Sequence, residues 1–137
     1  MRFMIIVKAT ADTEAGAMPP EKLFADMTAF HEELARAGAL LDAAGLQPSS
    51  RGWRIRYDGA RRSVVDGPFA EVKELIAGYT LIQARSREEA LQWSRRYPCP
   101  YGEGAGGEIE VRQLFDLDDL PPSEALTRFR TLEAPRG

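Results

Sequence analysis

At 137 residues, with 44% hydrophobic and 28% charged side chains, the chain has the size and composition of one globular domain, which excludes a disordered polymer. Eighteen Lys and Arg against twenty-one Asp and Glu give a net charge of −3, with no basic surplus to follow a phosphate backbone, so no nucleic-acid partner is expected. One cysteine rules out an internal disulfide framework, and with a single histidine beside it no metal centre is expected.

Residues 2–8 (Arg-Phe-Met-Ile-Ile-Val-Lys) are rich in β-formers and predict a strand. The apolar run stops at Lys8, too short for a signal peptide, and no later run approaches the ~18 apolar residues of a membrane span. A soluble, cytoplasmic protein without membrane contact is expected, and a lone thiol suits a reducing compartment. Residues 12–20 read as a loop ending in Pro19-Pro20, which suits the first turn of a helix. From 21 to 37 the apolar residues Leu23, Met27, Phe30 and Leu34 mark one helical face, and Gly38 is a stop. A weak strand is expected over 40–47, diluted by Ala43-Ala44-Gly45. Trp53 to Tyr57 alternate apolar and basic side chains, predicting a strand with one wet face. Asp58-Gly59 signals a tight turn, and 62–65 is the return strand. Another strand is expected over 75–83. Ser86 and Glu89 have capping-box spacing and open a helix to about Tyr97, ended by Pro98-Cys99-Pro100. A last strand is expected over 108–115. Asp116-Leu117-Asp118-Asp119 and Pro121-Pro122 mark a boundary, dividing a core domain of residues 1–115 from a tail of 116–137 that carries a short helix near 123–132.

Strand, helix, strands, helix, strand predicts an α+β fold, a ferredoxin-like sandwich. The strands at 2–8 and 75–83 are apolar on both faces, yet two helices cover only one. A second copy of the chain is the expected cover for the other face, giving a homodimer; the tail folding over it is the alternative. Ile5 and Thr80 are the positions where arginine would disturb that dimer, provided they face the partner.

Candidate chemistry centres on Asp66-Gly67-Pro68-Phe69, followed by Ala70-Glu71-Val72-Lys73-Glu74. One reading is a rigid turn buckled by Asp66 accepting backbone N–H bonds, so that losing Asp66 costs more stability than losing His31. The other presents Asp66 as a general acid or base, with Glu71, Lys73 and Glu74 lining the same mouth. Arg54 and Arg56 share a strand face, close to Arg61 and Arg62. They suit a small anionic ligand, or else form a solvated hairpin edge. His31 lies on the rim of the helix's apolar stripe. It is either a proton carrier or a half-buried histidine bonded to a neighbour. Tyr79 and Tyr101 offer phenols or packing, Cys99 an exposed thiol, and Trp93 with Tyr97 a packing pair on the sheet. Gly102-Glu103-Gly104-Ala105-Gly106-Gly107 spells a dinucleotide fingerprint but follows a helix and leads into a strand, so it reads as a loop and no cofactor is expected.

The stretch from Asp66 to Tyr79, Asp-Gly-Pro-Phe-Ala-Glu-Val-Lys-Glu-Leu-Ile-Ala-Gly-Tyr, resembles the signature of the DGPF branch of the YCII-related proteins. Gly45-Leu46-Gln47-Pro48-Ser49-Ser50 is similar to the segment before that family's hairpin, and Glu108 to Gln113 to its final strand. The resemblance runs from about Phe3 to Phe115. It implies a ferredoxin-like domain that pairs into a dimeric α/β barrel. Some members are encoded beside extracytoplasmic-function sigma factors, and the wider family includes an enzyme acting on a chlorinated muconate-type compound. The family's His–Asp pair is not carried over, because its histidine falls near Met27. The expected function is a cofactor-independent small-molecule enzyme for proton transfer or elimination on a small anionic compound. Asp66 and His31 are its candidate catalytic groups, with Arg54, Arg56, Glu71, Lys73, Glu74 and Tyr79 binding substrate. The alternatives are a non-catalytic ligand-binding or regulatory domain associated with such a sigma factor, and an interaction module.

Overall fold

Four strands form one antiparallel sheet in the order β2 (Leu40–Gly45), β5 (Ile76–Gln83), β1 (Arg2–Lys8), β6 (Ile109–Gln113) in a computed structural model that describes residues 1–102 and 104–133. Helix α2 (Glu21–Arg36) connects β1 to β2, and α3 (Arg87–Arg95) connects β5 to β6. With β5 lying between β1 and β2, this is the split β-α-β order of a ferredoxin-like sheet, in a mixed α+β chain. A short helix α1 (Ala11–Glu14) precedes α2, and α4 (Glu124–Arg130) lies in the tail. The hairpin β3 (Trp53–Asp58) and β4 (Arg61–Asp66) is a separate two-stranded sheet between β2 and β5.

Register decides which side chains meet the helices. Phe3 stands opposite Ile82, and Ile5 opposite both Thr80 and Val111. That row faces α2 and α3, where Phe3, Ile5 and Ile82 bury with Phe30, Leu34 and Ala90. Trp93, Tyr97 and Ile109 close the margins of this core. The alternate row pairs Met4 with Leu81 and Ile6 with Tyr79, and it is only half-buried. Helix α4 buries none of its residues, and its Phe129 is exposed, as is Leu132 just beyond it. Ile5 and Thr80, at 0% and 1% exposure, therefore point into the helix-side core. They do not face a partner, because period 2 distinguishes two faces without saying which one the helices take.

Other expectations shift locally. The loop expected over 12–20 contains α1, whose Thr10 cap accepts from the Thr13 N–H at 3.2 Å while Thr13 Oγ1 accepts from the Thr10 N–H at 2.8 Å. The hairpin turn is Gly59-Ala60, since Asp58 pairs with Arg61. Only Gly59 has a positive φ there (+61°), as a type II′ turn requires. Ser86 caps α3 by accepting from the Glu89 N–H, but the Glu89 carboxylate accepts from Arg85 Nε instead of closing the box. Helix α3 ends at Arg95, short of Tyr97, and β5 starts at Ile76. Glu103 of the glycine-rich segment and residues 134–137 of the tail lie outside the described residues.

Candidate functional site

Glu14 is the last residue of α1, and it reaches across 35 residues to Ser49. Its carboxylate accepts from the Ser49 N–H at 3.1 and 3.3 Å, and from the Ser49 hydroxyl. Pro48 sets the entry to a 3₁₀ turn over Ser49–Arg51, which presents Ser49 toward the signature stretch. There Ser49 Oγ accepts from the Phe69 N–H at 3.0 Å, and the Gly52 carbonyl accepts from the Gly67 N–H at 3.0 Å. A Cβ at Gly67 would lie 1.8 Å from the Ser49 carbonyl oxygen, so only glycine allows this approach. The Arg54 guanidinium stacks on the Phe69 ring, 3.8 Å from its centroid. Beside the turn opens a pocket of about 240 Å³, lined among others by Glu14, Ser49, Arg54, Phe69, Glu74 and Ile76.

Two of the sequence-derived site residues, Arg54 and Glu74, line this pocket; Asp66, Arg56, Glu71 and Lys73 do not. Asp66 is exposed, and its side chain makes no hydrogen bond among the described residues. The buckle of the turn is Ser49, not Asp66. Ser49 belongs to a segment whose sequence stood out, whereas Glu14 sat in a stretch read as loop, with no signal of its own.

His31 stands apart, within the helix-side core. Its Nδ1 lies 2.7 Å from the Met27 carbonyl and its Nε2 lies 2.8 Å from Thr80 Oγ1. A carbonyl only accepts, so Nδ1 carries the proton, and in the neutral ring Nε2 accepts from the Thr80 hydroxyl. The Tyr97 hydroxyl, 3.2 Å from Thr80 Oγ1, then donates to it and completes the chain. His31 is thus a half-buried helix histidine bonded to its neighbours. Tyr79 lies on the opposite sheet face and donates to Asp42 Oδ2 at 2.9 Å; that bond and the Asp42 charge raise its pKa. The Tyr101 hydroxyl donates to the Lys8 carbonyl.

The order of stability costs therefore reverses the sequence-based expectation. Asp66→Ala should stay within about 0.5 kcal/mol of wild type in denaturant melts, as surface changes do. His31→Ala should lose about 1–3 kcal/mol, because the buried Thr80 hydroxyl loses its acceptor and the Met27 carbonyl loses the Nδ1–H donor.

A pH dependence follows from Tyr97. Burial raises its pKa above 10.0, opposed by the bond to Thr80. A folded pKa above the unfolded value means that the folded state holds the proton longer. The contribution is complete below the unfolded pKa near 10 and disappears as pH rises through the folded value. Thermal melts across the alkaline range should show stability falling from about pH 10 upward. Tyr97→Phe should start less stable and fall less steeply.

These features describe a small α+β domain with an open cleft of about 240 Å³ built from a helix end, a 3₁₀ turn and a signature turn. Residues 1–118 match the YCII-related domain, and the chain belongs to that family. It is 34% identical over 101 residues to an uncharacterised protein of Rhizobium meliloti (strain 1021), covering 74% of this chain and 82% of the relative. Among solved structures it aligns with 5-chloro-2-hydroxyhydroquinone dehydrochlorinase (TftG) from Burkholderia phenoliruptrix AC1100, in complex with 2,5-dihydroxybenzoquinone. That alignment covers 84% of this chain and 94% of the other, with a TM-score of 0.42 and 12% identity. No helix among the described residues is long and apolar enough to cross a membrane.

Proposed function

We propose that this chain is a small-molecule enzyme of the DGPF branch, working by proton transfer in the cleft beside the signature turn without a cofactor. The observation that carries the reading is the convergence of an oriented carboxylate and an oriented guanidinium on one pocket. Ser49 holds Glu14 through its N–H and its hydroxyl, yet a carboxylate has about four lone-pair sites, so acceptor capacity remains for a substrate proton. Arg54 lies flat on Phe69, a pose that leaves guanidinium N–H groups for a ligand carboxylate. Leu46, Leu75 and Ile76 supply apolar wall for a short carbon skeleton. Glu14 then takes a proton from carbon next to the anchored carboxylate, and a leaving group on the neighbouring carbon departs with the electron pair. Arg54 holds the anion that the transition state strengthens. Asp66 and His31 have no part in this reading.

The test is a thermal-shift screen with small mono- and dicarboxylic acids, followed by proton–deuteron exchange on any acid that binds. At least one acid should raise Tm, since a ligand stabilises the form it binds. Arg54→Gln should weaken binding roughly tenfold to a hundredfold, the value of a charge-assisted bond of about 1.5–3 kcal/mol. Glu14→Gln should keep binding and lose exchange. A panel in which no acid shifts Tm at millimolar concentration overturns the reading.

Assembly is the second part of the proposal. The half-buried row of Met4, Ile6, Tyr79 and Leu81 is apolar surface that a second copy covers, pairing two sheets into a dimeric α/β barrel.

A further inference from the structure

The cleft beside the signature turn is lined by side chains of both signs that do not neutralise one another. Glu14, Glu74 and Arg54 all border it, and among the described residues no ion pair joins Arg54 to either carboxylate. The face of Arg54 lies on the Phe69 ring at 3.8 Å, and the N–H donors of a guanidinium point outward in its own plane, past the edge of such a stack. The two carboxylates differ. Glu14 already accepts from the Ser49 N–H and hydroxyl. Glu74 ends the 3₁₀ turn Val72–Glu74, is exposed, and its carboxylate accepts from no group among the described residues. Its neighbour Lys73 does not line the cleft. The lining thus holds two negative groups and one positive, and the positive group and one of the negative groups both lack a charged partner.

We infer that the cleft takes a short amino acid as its zwitterion, with the carboxylate on Arg54 and the ammonium on Glu74. This rests on the cleft reading above and names its substrate class. Charge selects the ligand. A plain carboxylate finds Arg54 but enters a lining that is already negative by one, and a dicarboxylate adds to that excess. A plain amine finds Glu74 but meets a guanidinium, which carries only donors. A zwitterion brings one pole for each unpartnered group and leaves the net charge of the lining unchanged. Size keeps the ligand short: about 240 Å³ is on the order of eight water volumes of about 30 Å³ each, and Leu75 and Ile76 give apolar wall to a few carbons. Glu14, held by Ser49, keeps its place as the base at the carbon beside the carboxylate.

Calorimetric titration of the full chain at neutral pH tests this with four probes of similar size: propionate, propylamine, L-alanine and β-alanine. At least one of the two amino acids should bind about fivefold tighter than propionate, the upper end for an ion pair open to water. Propylamine should bind more weakly than that amino acid. Glu74→Gln should remove the preference without weakening propionate, and its circular dichroism should match wild type because the position is exposed. Glu32→Gln, exposed on α2 and outside the cleft lining, should keep the preference. If no acid binds, amino acids included, the cleft reading falls and the zwitterion with it. If propionate binds as tightly as both amino acids, or the preference survives Glu74→Gln, the zwitterion is overturned and the cleft reading stands. Propylamine that matches the amino acids also overturns it, since Arg54 would then hold nothing. A preference that disappears in Glu32→Gln as well reflects overall charge and overturns it too.

Discussion

Gly67→Ala is expected to unseat the signature turn. The added methyl would lie 1.8 Å from the Ser49 carbonyl oxygen, 2.6 Å from its carbonyl carbon and 3.4 Å from the Gly52 oxygen. All three are backbone atoms, so no side chain can swing aside. Either the bond from the Gly67 N–H to the Gly52 carbonyl opens, or the 3₁₀ turn slides. Sliding takes Ser49 away from both the Phe69 N–H and Glu14. Each half-buried polar group left without a partner costs about 1–3 kcal/mol, so the loss should reach about 3 kcal/mol or more. For a chain of this length that is roughly 10 °C in Tm. Gly106 has open space where its Cβ would stand, and Gly106→Ala is the matched control, expected within about 0.5 kcal/mol of wild type. Equal melts for the two variants would show that the close approach of 67 to 49 does not hold in solution.

Neighbouring isoleucines should respond in opposite ways to the same change. Ile5→Arg places an unpaired charge at a position with 0% exposure, flanked by Thr80 and Val111 under the helices. The lost apolar burial alone is worth about 2–5 kcal/mol, and an unpaired buried charge adds more. Together these rival the whole stability of a domain, about 5–15 kcal/mol, so no cooperative melt should remain. Ile6→Arg turns its charge to the half-buried outer row. That variant should stay folded by circular dichroism and sediment as a monomer. A folded Ile5→Arg contradicts the register, and a dimeric Ile6→Arg contradicts the sheet-face assembly.

The fold was legible where periodicity carried it. Leu23, Met27, Phe30 and Leu34 predict α2, and Phe30 and Leu34 are the ones that bury in it. Alternation in 2–8 separates Phe3 and Ile5 from Met4 and Ile6, as the register shows. What alternation cannot say is which face meets the helices, and Ile5 and Thr80 were misplaced for that reason. The hairpin shows a similar limit: Arg56 is exposed as a wet basic face suggests, yet Phe69 arrives from elsewhere in the chain to meet Arg54. Helix α1 is four residues held by a Thr10–Thr13 cap, with no apolar stripe to read. At the candidate site the signature stretch and the 45–50 segment were both visible, but their junction was not. A turn residue such as Asp66 advertises itself locally, whereas Glu14 matters through a contact that no local pattern encodes. The matching YCII-related domain supports the family reading of those motifs.

The sheet order has a consequence for synthesis. Strand β1 is central, hydrogen-bonded to β5 on one side and to β6 on the other, yet it precedes them by some seventy and a hundred residues. A chain leaving the ribosome from its N-terminus presents Phe3, Met4, Ile5 and Ile6 long before either neighbour exists. Helix α2 can form early from local contacts, but the ladder beneath it waits for residues 76–83 and 109–113. Until then the most apolar strand of the nascent chain has two open edges, which makes it a natural landing place for a holding chaperone and the segment where premature release would lead to aggregation.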